Sequence, residues 1–162
     1  MPEYKFVTIW RLEAGIDAVW DALYYPEHWP TWWPNVAAVE KLAPGDTDGV
    51  GAVHRYTWKT SLPYTLGFTM ETTRVERPNL LEGRADGELT GVGRWALSTE
   101  SGGITTVRYD WNVRTTKAWM NLFAPIARPL FEWNHDRVMQ AGGKGLAQHL
   151  NARLLEKTGF RD

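Results

Sequence analysis

The stretch TVRYDWNVR, residues 106–114, decides how this chain folds. Val107, Tyr109, Trp111 and Val113 alternate with Arg108, Asp110, Asn112 and Arg114, the period of two of an extended strand with one apolar and one solvated face. The same alternation recurs upstream. GAVHRYTWK (51–59) sets Ala52, His54, Tyr56 and Trp58 against Val53, Arg55, Thr57 and Lys59, and YTLGFTMETTRV (64–75) sets Leu66, Phe68 and Met70 against Thr65, Gly67, Thr69 and Glu71. LLEGRADGE (80–88) sets Leu81, Gly83, Ala85 and Gly87 against Glu82, Arg84, Asp86 and Glu88, and GRWALS (93–98) contributes Trp95 and Leu97. RPN and ESGG mark turns between them. Successive alternating strands joined by short turns make an antiparallel meander whose apolar face needs a cover.

The flanks supply the rest. YKFVTIWRL (4–12) reads as a strand with Tyr4, Phe6, Thr8 and Trp10 on one face. Ile16, Val19, Trp20 and Leu23 then fall at helical spacing, and PEHWPTWWP (26–34) places Pro26 and Pro30 where prolines begin helical turns. Over residues 117–156, Leu130, Val138, Gly142, Leu146 and Leu150 recur as in a long helix. The expected fold is α+β: a curved antiparallel sheet of about seven strands wrapped around a long C-terminal helix, with two short helices after the first strand.

At 162 residues the chain has the size of a single domain, taken as 1–162. Its 18 basic and 19 acidic residues give a net charge of −1, so no general field draws it to nucleic acid or anionic lipid. It has no cysteine, which excludes disulfides, thiolate metal sites and a thiol nucleophile. No apolar run reaches the roughly 18 residues of a membrane span and the first residues lack a signal-like apolar core, so a cytoplasmic protein without integral membrane association is expected. Aromatic residues make up 13% of the chain, ten of them Trp, which implies either a ring-filled core or an aromatic-lined cavity.

With VWDALYYPEHWPTWWPNV, GELTGVGRW, YDWNVRTT and GGKGLAQHL in place, the element order resembles the helix-grip (SRPBCC) superfamily of plant pollen allergens, START domains and bacterial polyketide cyclase/dehydrase-like proteins, the last above all. The resemblance spans residues 3–155. It implies a deep apolar cavity between sheet and long helix, no cofactor, and no single chemistry, because members include carriers, hormone sensors, enzymes and chaperone activators.

The inward face mixes Tyr56, Trp58, Phe68, Trp95, Tyr109 and Trp111 with Gly83, Ala85 and Gly87, and the helix offers Ala141, Gly142 and Gly145. Small residues either let a helix approach a sheet closely or leave space for a ligand, and the resemblance favours the second. The expected ligand-binding set is Trp29, Trp33, His54, Tyr56, Trp58, Phe68, Met70, Trp95, Tyr109, Trp111, Asn134, His135, Val138 and Gly142. His54, Tyr109 and His135 are the candidates for catalytic proton handling, though His54 reads more readily as a hydrogen-bonded residue at the cavity rim. No metal site is expected: the four His are scattered, with His135 and His149 about 21 Å apart along one helix. GVG (91–93) and GGKG (142–145) lack the context of phosphate loops, and GxSxG is absent.

Three functions are consistent with this. A module binding a hydrophobic, aromatic or lipid-like small molecule leads; a cyclase-, aromatase- or dehydratase-type enzyme using the same cavity is the alternative; a protein-interaction domain of the chaperone-activator kind is third. In PEHWPTWWP, some of the rings of Trp29, Trp32 and Trp33 are expected to seal the cavity end.

Overall fold

The computed structural model describes residues 3–60, 63, 65–116, 118, 122 and 124–161. Eight antiparallel strands form one sheet: β1 (Glu3–Leu12), β2 (Val36–Ala43), β3 (Val53–Lys59), β4 (Thr65–Glu76), β5 (Leu80–Gly87), β6 (Leu89–Glu100), β7 (Ile104–Thr115) and β8 (Leu154–Arg161). The spatial order is β2-β3-β4-β5-β6-β7-β1-β8. Helix α1 (Ile16–Tyr24) and a 3₁₀ helix (Pro26–Thr31) follow β1, and the long helix α2 (Ala124–His149) lies between β7 and β8. This is the helix-grip arrangement anticipated from the sequence.

Alternation fixes which side chains face α2. His54 pairs with Met70, Met70 with Ala85, Ala85 with Gly91, Gly91 with Val113, and Val113 with Tyr4, one row running from β3 to β1. A parallel row joins Gly83, Gly93, Trp111 and Phe6. Because the period is two, every second residue along these strands shares the inner face. The outer face carries cross-strand ion pairs, among them Arg84 with Glu71 at 2.7 Å and Arg55 with Glu40 at 3.1 Å.

Two expectations about the helix need correction. The first concerns its length: the apolar spacing predicts helix as far as residue 156, yet α2 stops at His149 and the chain returns as β8 along the free edge of β1. Leu146, Leu150 and Leu154 continue a four-residue spacing through this boundary, which hides it. What ends the helix is Asn151, in the left-handed region at φ 52°. Its N–H bonds the carbonyl of Gln148 at 3.1 Å, and the Ala152 N–H bonds that of Ala147 at 2.8 Å, the paired bonds of a Schellman motif. At the other end, residues 117, 119–121 and 123 of the expected helical stretch lie outside the described residues.

The second correction concerns phase. The spacing puts Leu130 on the buried stripe, but Leu130 is 47% exposed and Phe131 is buried instead. At about 100° per residue, Phe131 lies roughly 20° from Val138 around the axis and Leu130 roughly 80°.

PEHWPTWWP folds as anticipated into a proline-started turn, with all three tryptophans buried. Pro26 begins the 3₁₀ helix, and the Trp32 and Trp33 N–H groups bond the Trp29 carbonyl at 3.0 and 2.7 Å. The Trp33 indole N–H donates to the Val138 carbonyl at 2.9 Å, tying this segment to α2.

Candidate functional site

Between the concave sheet and α2 lies a cavity of about 230 Å³. Its floor and side walls come from Tyr56 and Trp58 of β3, Phe68 and Met70 of β4, Gly83 of β5, Gly93 and Trp95 of β6, Tyr109 and Trp111 of β7, and Tyr4 and Phe6 of β1. Phe131, Asn134, His135, Val138 and Met139 of α2 form the roof, and Trp29 and Trp33 close one end. The mouth lies where exposed groups join the lining: Tyr25, Lys41 and Pro44, beside Glu27 and His54.

Small residues on the floor seat the large ones beside them. A Cβ on Gly93 would stand 2.5 Å from the Tyr109 hydroxyl and 3.0 Å from the Trp111 ring, so only glycine lets both rings lie against the floor. The rings brace one another: Trp95 stacks on Tyr109 with centroids 4.0 Å apart, Tyr56 on Trp58 at 6.4 Å and on Phe68 at 6.0 Å, and Trp29 lies 5.3 Å from Trp33.

Thirteen of the fourteen expected ligand-contacting residues line this cavity, Gly142 being the exception. A Cβ on Gly142 would come within 2.5 Å of the Trp33 ring; the glycine lets that indole approach the helix and reach the Val138 carbonyl. Gly143 does the same for Trp10, whose Nε1 would stand 2.9 Å from an added Cβ, and an added Cβ on Gly145 would overlap the Trp32 carbonyl. In GGKG, then, close approach of helix to tryptophan accounts for the small residues, and on β5 and β6 Gly83 and Gly93 likewise make room for Met70 and for the Tyr109 and Trp111 rings rather than leaving space for a ligand. Of the three tryptophans of PEHWPTWWP, Trp29 and Trp33 face the cavity, and Trp32 stacks behind Trp33 at 5.5 Å.

Sequence reasoning missed Glu27. Its Oε1 lies 2.5 Å from Nε2 of His54, a contact between the 3₁₀ helix and β3 across 27 positions. A carboxylate accepts, so the imidazole presents Nε2–H to it. Burial pushes the His54 imidazole below its ordinary range, with Lys41 acting in the same sense and Glu27 opposing. Burial likewise raises the hydroxyls of Tyr56 and Tyr109 and lowers His135. The histidine and tyrosine side chains of the cavity are therefore neutral at neutral pH.

Several polar atoms here have no partner among the described residues. Trp29 and Trp33 donate their indole N–H to the carbonyls of Ala22 and Val138, but Trp58 Nε1 and both ring nitrogens of His135 are buried and unbonded. His135 stacks on Phe6 at 3.8 Å, and its Nδ1 lies 3.8 Å from Asp136, beyond hydrogen-bonding reach. Buried polar groups without partners cost about 1–3 kcal/mol each, and these atoms expose almost no surface to the cavity.

A family model described as polyketide cyclase/dehydrase and lipid transport matches residues 6–151. Among solved structures, the Zhui aromatase/cyclase from Streptomyces sp. R1128 is similar with a TM-score of 0.76 at 16% identity, over 93% of this chain and 94% of that one. A START superfamily protein from Mycobacterium smegmatis gives a TM-score of 0.73 at 13% identity, over 91% and 97% of the two chains. Ginseng major latex-like protein 151 from Panax ginseng gives 0.67 at 12%, over 91% and 97%. Identities this low speak for the fold alone. The chain matches no curated protein sequence. Among the described residues, no helix is long and apolar enough to cross a membrane.

Proposed function

Since the chain belongs to the polyketide cyclase/dehydrase and lipid transport family, we propose that it binds a hydrophobic, aromatic small molecule in the cavity between sheet and α2. The observation that carries this reading is the wall itself: stacked rings enclosing about 230 Å³, with the polar side chains of Tyr56, Tyr109 and Asn134 among its lining. A dry apolar cavity of about 150 Å³ suffices for benzene, so this one suits one or two rings, and an oxygen on the ligand would find hydrogen-bond partners in those polar side chains.

The test is a binding panel of naphthalene, 2-naphthol, a flavonoid and a fatty acid, read by quenching of tryptophan fluorescence and by thermal shift, with native mass spectrometry of the protein as purified. The aromatic members should quench and stabilise, 2-naphthol more than naphthalene. Tyr109→Phe should weaken 2-naphthol about tenfold, equivalent to one hydrogen bond, and leave naphthalene nearly unchanged. If no panel member quenches or shifts the melting temperature, the reading fails.

A second reading, an enzyme of cyclase or aromatase type, is favoured by one specific observation: the contact between His54 and Glu27 at the cavity mouth.

A further inference from the structure

We infer that His54 is a proton acceptor for a ligand bound in the cavity and that Glu27 is its positioning residue, so that the site takes compounds bearing a weakly acidic C–H or O–H next to an aromatic or carbonyl group. The inference rests on the ligand-binding reading above and adds an activity to it.

The geometry is that of a carboxylate–imidazole pair. Glu27 Oε1 sits 2.5 Å from His54 Nε2, which fixes the tautomer with the proton on Nε2 and leaves Nδ1 with a free lone pair. His54 lines the cavity and is buried, while the Glu27 side chain is about one-third exposed. The base thus stands on the rigid sheet and its orienting group on the 3₁₀ helix. Both are held independently: His54 by the pairing of β3 with β2 and β4, Glu27 by a segment that Trp29 and Trp33 anchor to Ala22 and Val138. The charged and titratable groups facing the imidazole are Glu27, Lys41 opposite it on β2, and Tyr56 on its own strand.

In the step proposed, Nδ1 takes the proton and the electron pair of the C–H or O–H bond stays on the ligand as an enolate or phenolate. The imidazolium formed is stabilised by the Glu27 carboxylate beside it, and the proton returns to the product when the anion collapses. Atoms and charge balance without an oxidant or other co-reactant.

The probe is 5-nitrobenzisoxazole, a planar aromatic with one acidic C–H. Its proton passes to the base, the C–H electron pair completes a nitrile, the ring N–O bond breaks, and oxygen departs as a coloured phenolate. Wild-type protein should turn it over with saturation, about 100-fold faster than His54→Gln, with a rate that rises with pH and levels off as the imidazole becomes neutral. Glu27→Gln should lower kcat about tenfold with KM little changed, and Glu27→Asp should recover part of it. Nitrogen NMR of histidine-labelled wild-type protein should show His54 with its proton on Nε2, and Glu27→Gln should mix the tautomers; this measurement does not depend on His54→Gln folding. Quenching by the probe with turnover equal to that of folded His54→Gln, or a His54 proton on Nδ1, would overturn the inference while leaving ligand binding intact. No quenching at all would overturn the cavity reading and this inference with it.

Discussion

Burial lowers both His135, which lies flat against Phe6, and His54 below the ordinary imidazole range, so both rest neutral at neutral pH. In the unfolded chain each titrates near 6.5, so between the folded and unfolded values the unfolded state binds more protons. The sign follows: the stability these two groups contribute is full above about pH 6.5 and is lost as the pH falls from there through their lower folded values. The melting temperature should be level from about pH 8 to 7 and decline towards pH 5, and His135→Phe, which keeps the stack on Phe6, should flatten part of the decline. A level profile down to pH 5 in wild type would contradict it. At this scale the sequence was informative wherever period two applied, which is how His54, Tyr56, Trp58, Tyr109 and Trp111 were placed. Glu27 was illegible because its partner is set by how a 3₁₀ turn meets a strand 27 residues on, and no local periodicity encodes that.

Among the elements, α2 shows a conflict between local propensity and packing. Gly142, Gly143 and Gly145 each weaken an isolated helix by about 1 kcal/mol relative to alanine, yet they seat Trp33, Trp10 and Trp32. The two effects carry opposite signs and can be measured apart. Gly145→Ala should increase the helicity of a peptide spanning 136–150, as circular dichroism would show, and should destabilise the whole protein by about 1–3 kcal/mol or more, because the new methyl meets the Trp32 backbone rather than a side chain that can turn away. A stabilised protein would refute the seating argument. The helix itself was legible from its apolar spacing; its end was not, because leucines at 146, 150 and 154 keep step across a left-handed Asn151. Asn at that position, followed by the β-tolerant LLEKTGF, was the available signal.

At the scale of the molecule, the meander and its helix were readable because alternation and element order are both properties of the chain read in sequence. The eighth strand, however, depends on which edge stands free. Arg161 fastens that strand to α2, bonding Asp136 at 3.1 and 3.0 Å and Glu132 at 2.7 Å while lying over the Phe6 ring. Strands β2 to β7 each pair with their neighbours in sequence, whereas β1 lies between β7 and β8, with Phe6 opposite Trp111 on one side and Arg161 on the other. Strand β1 thus has no partner until β7 and β8 are in place, and closing a loop of that length precedes any reward from pairing. Pulse-labelled hydrogen exchange during refolding should protect amides of β3 to β6 before those of β1; simultaneous protection would argue otherwise. Tyr4 and Phe6 are walls of the cavity, so in that order of folding the cavity is completed only at the final step. A ligand would then find nothing to hold in any earlier species: it would slow unfolding and leave the rate of folding as it was.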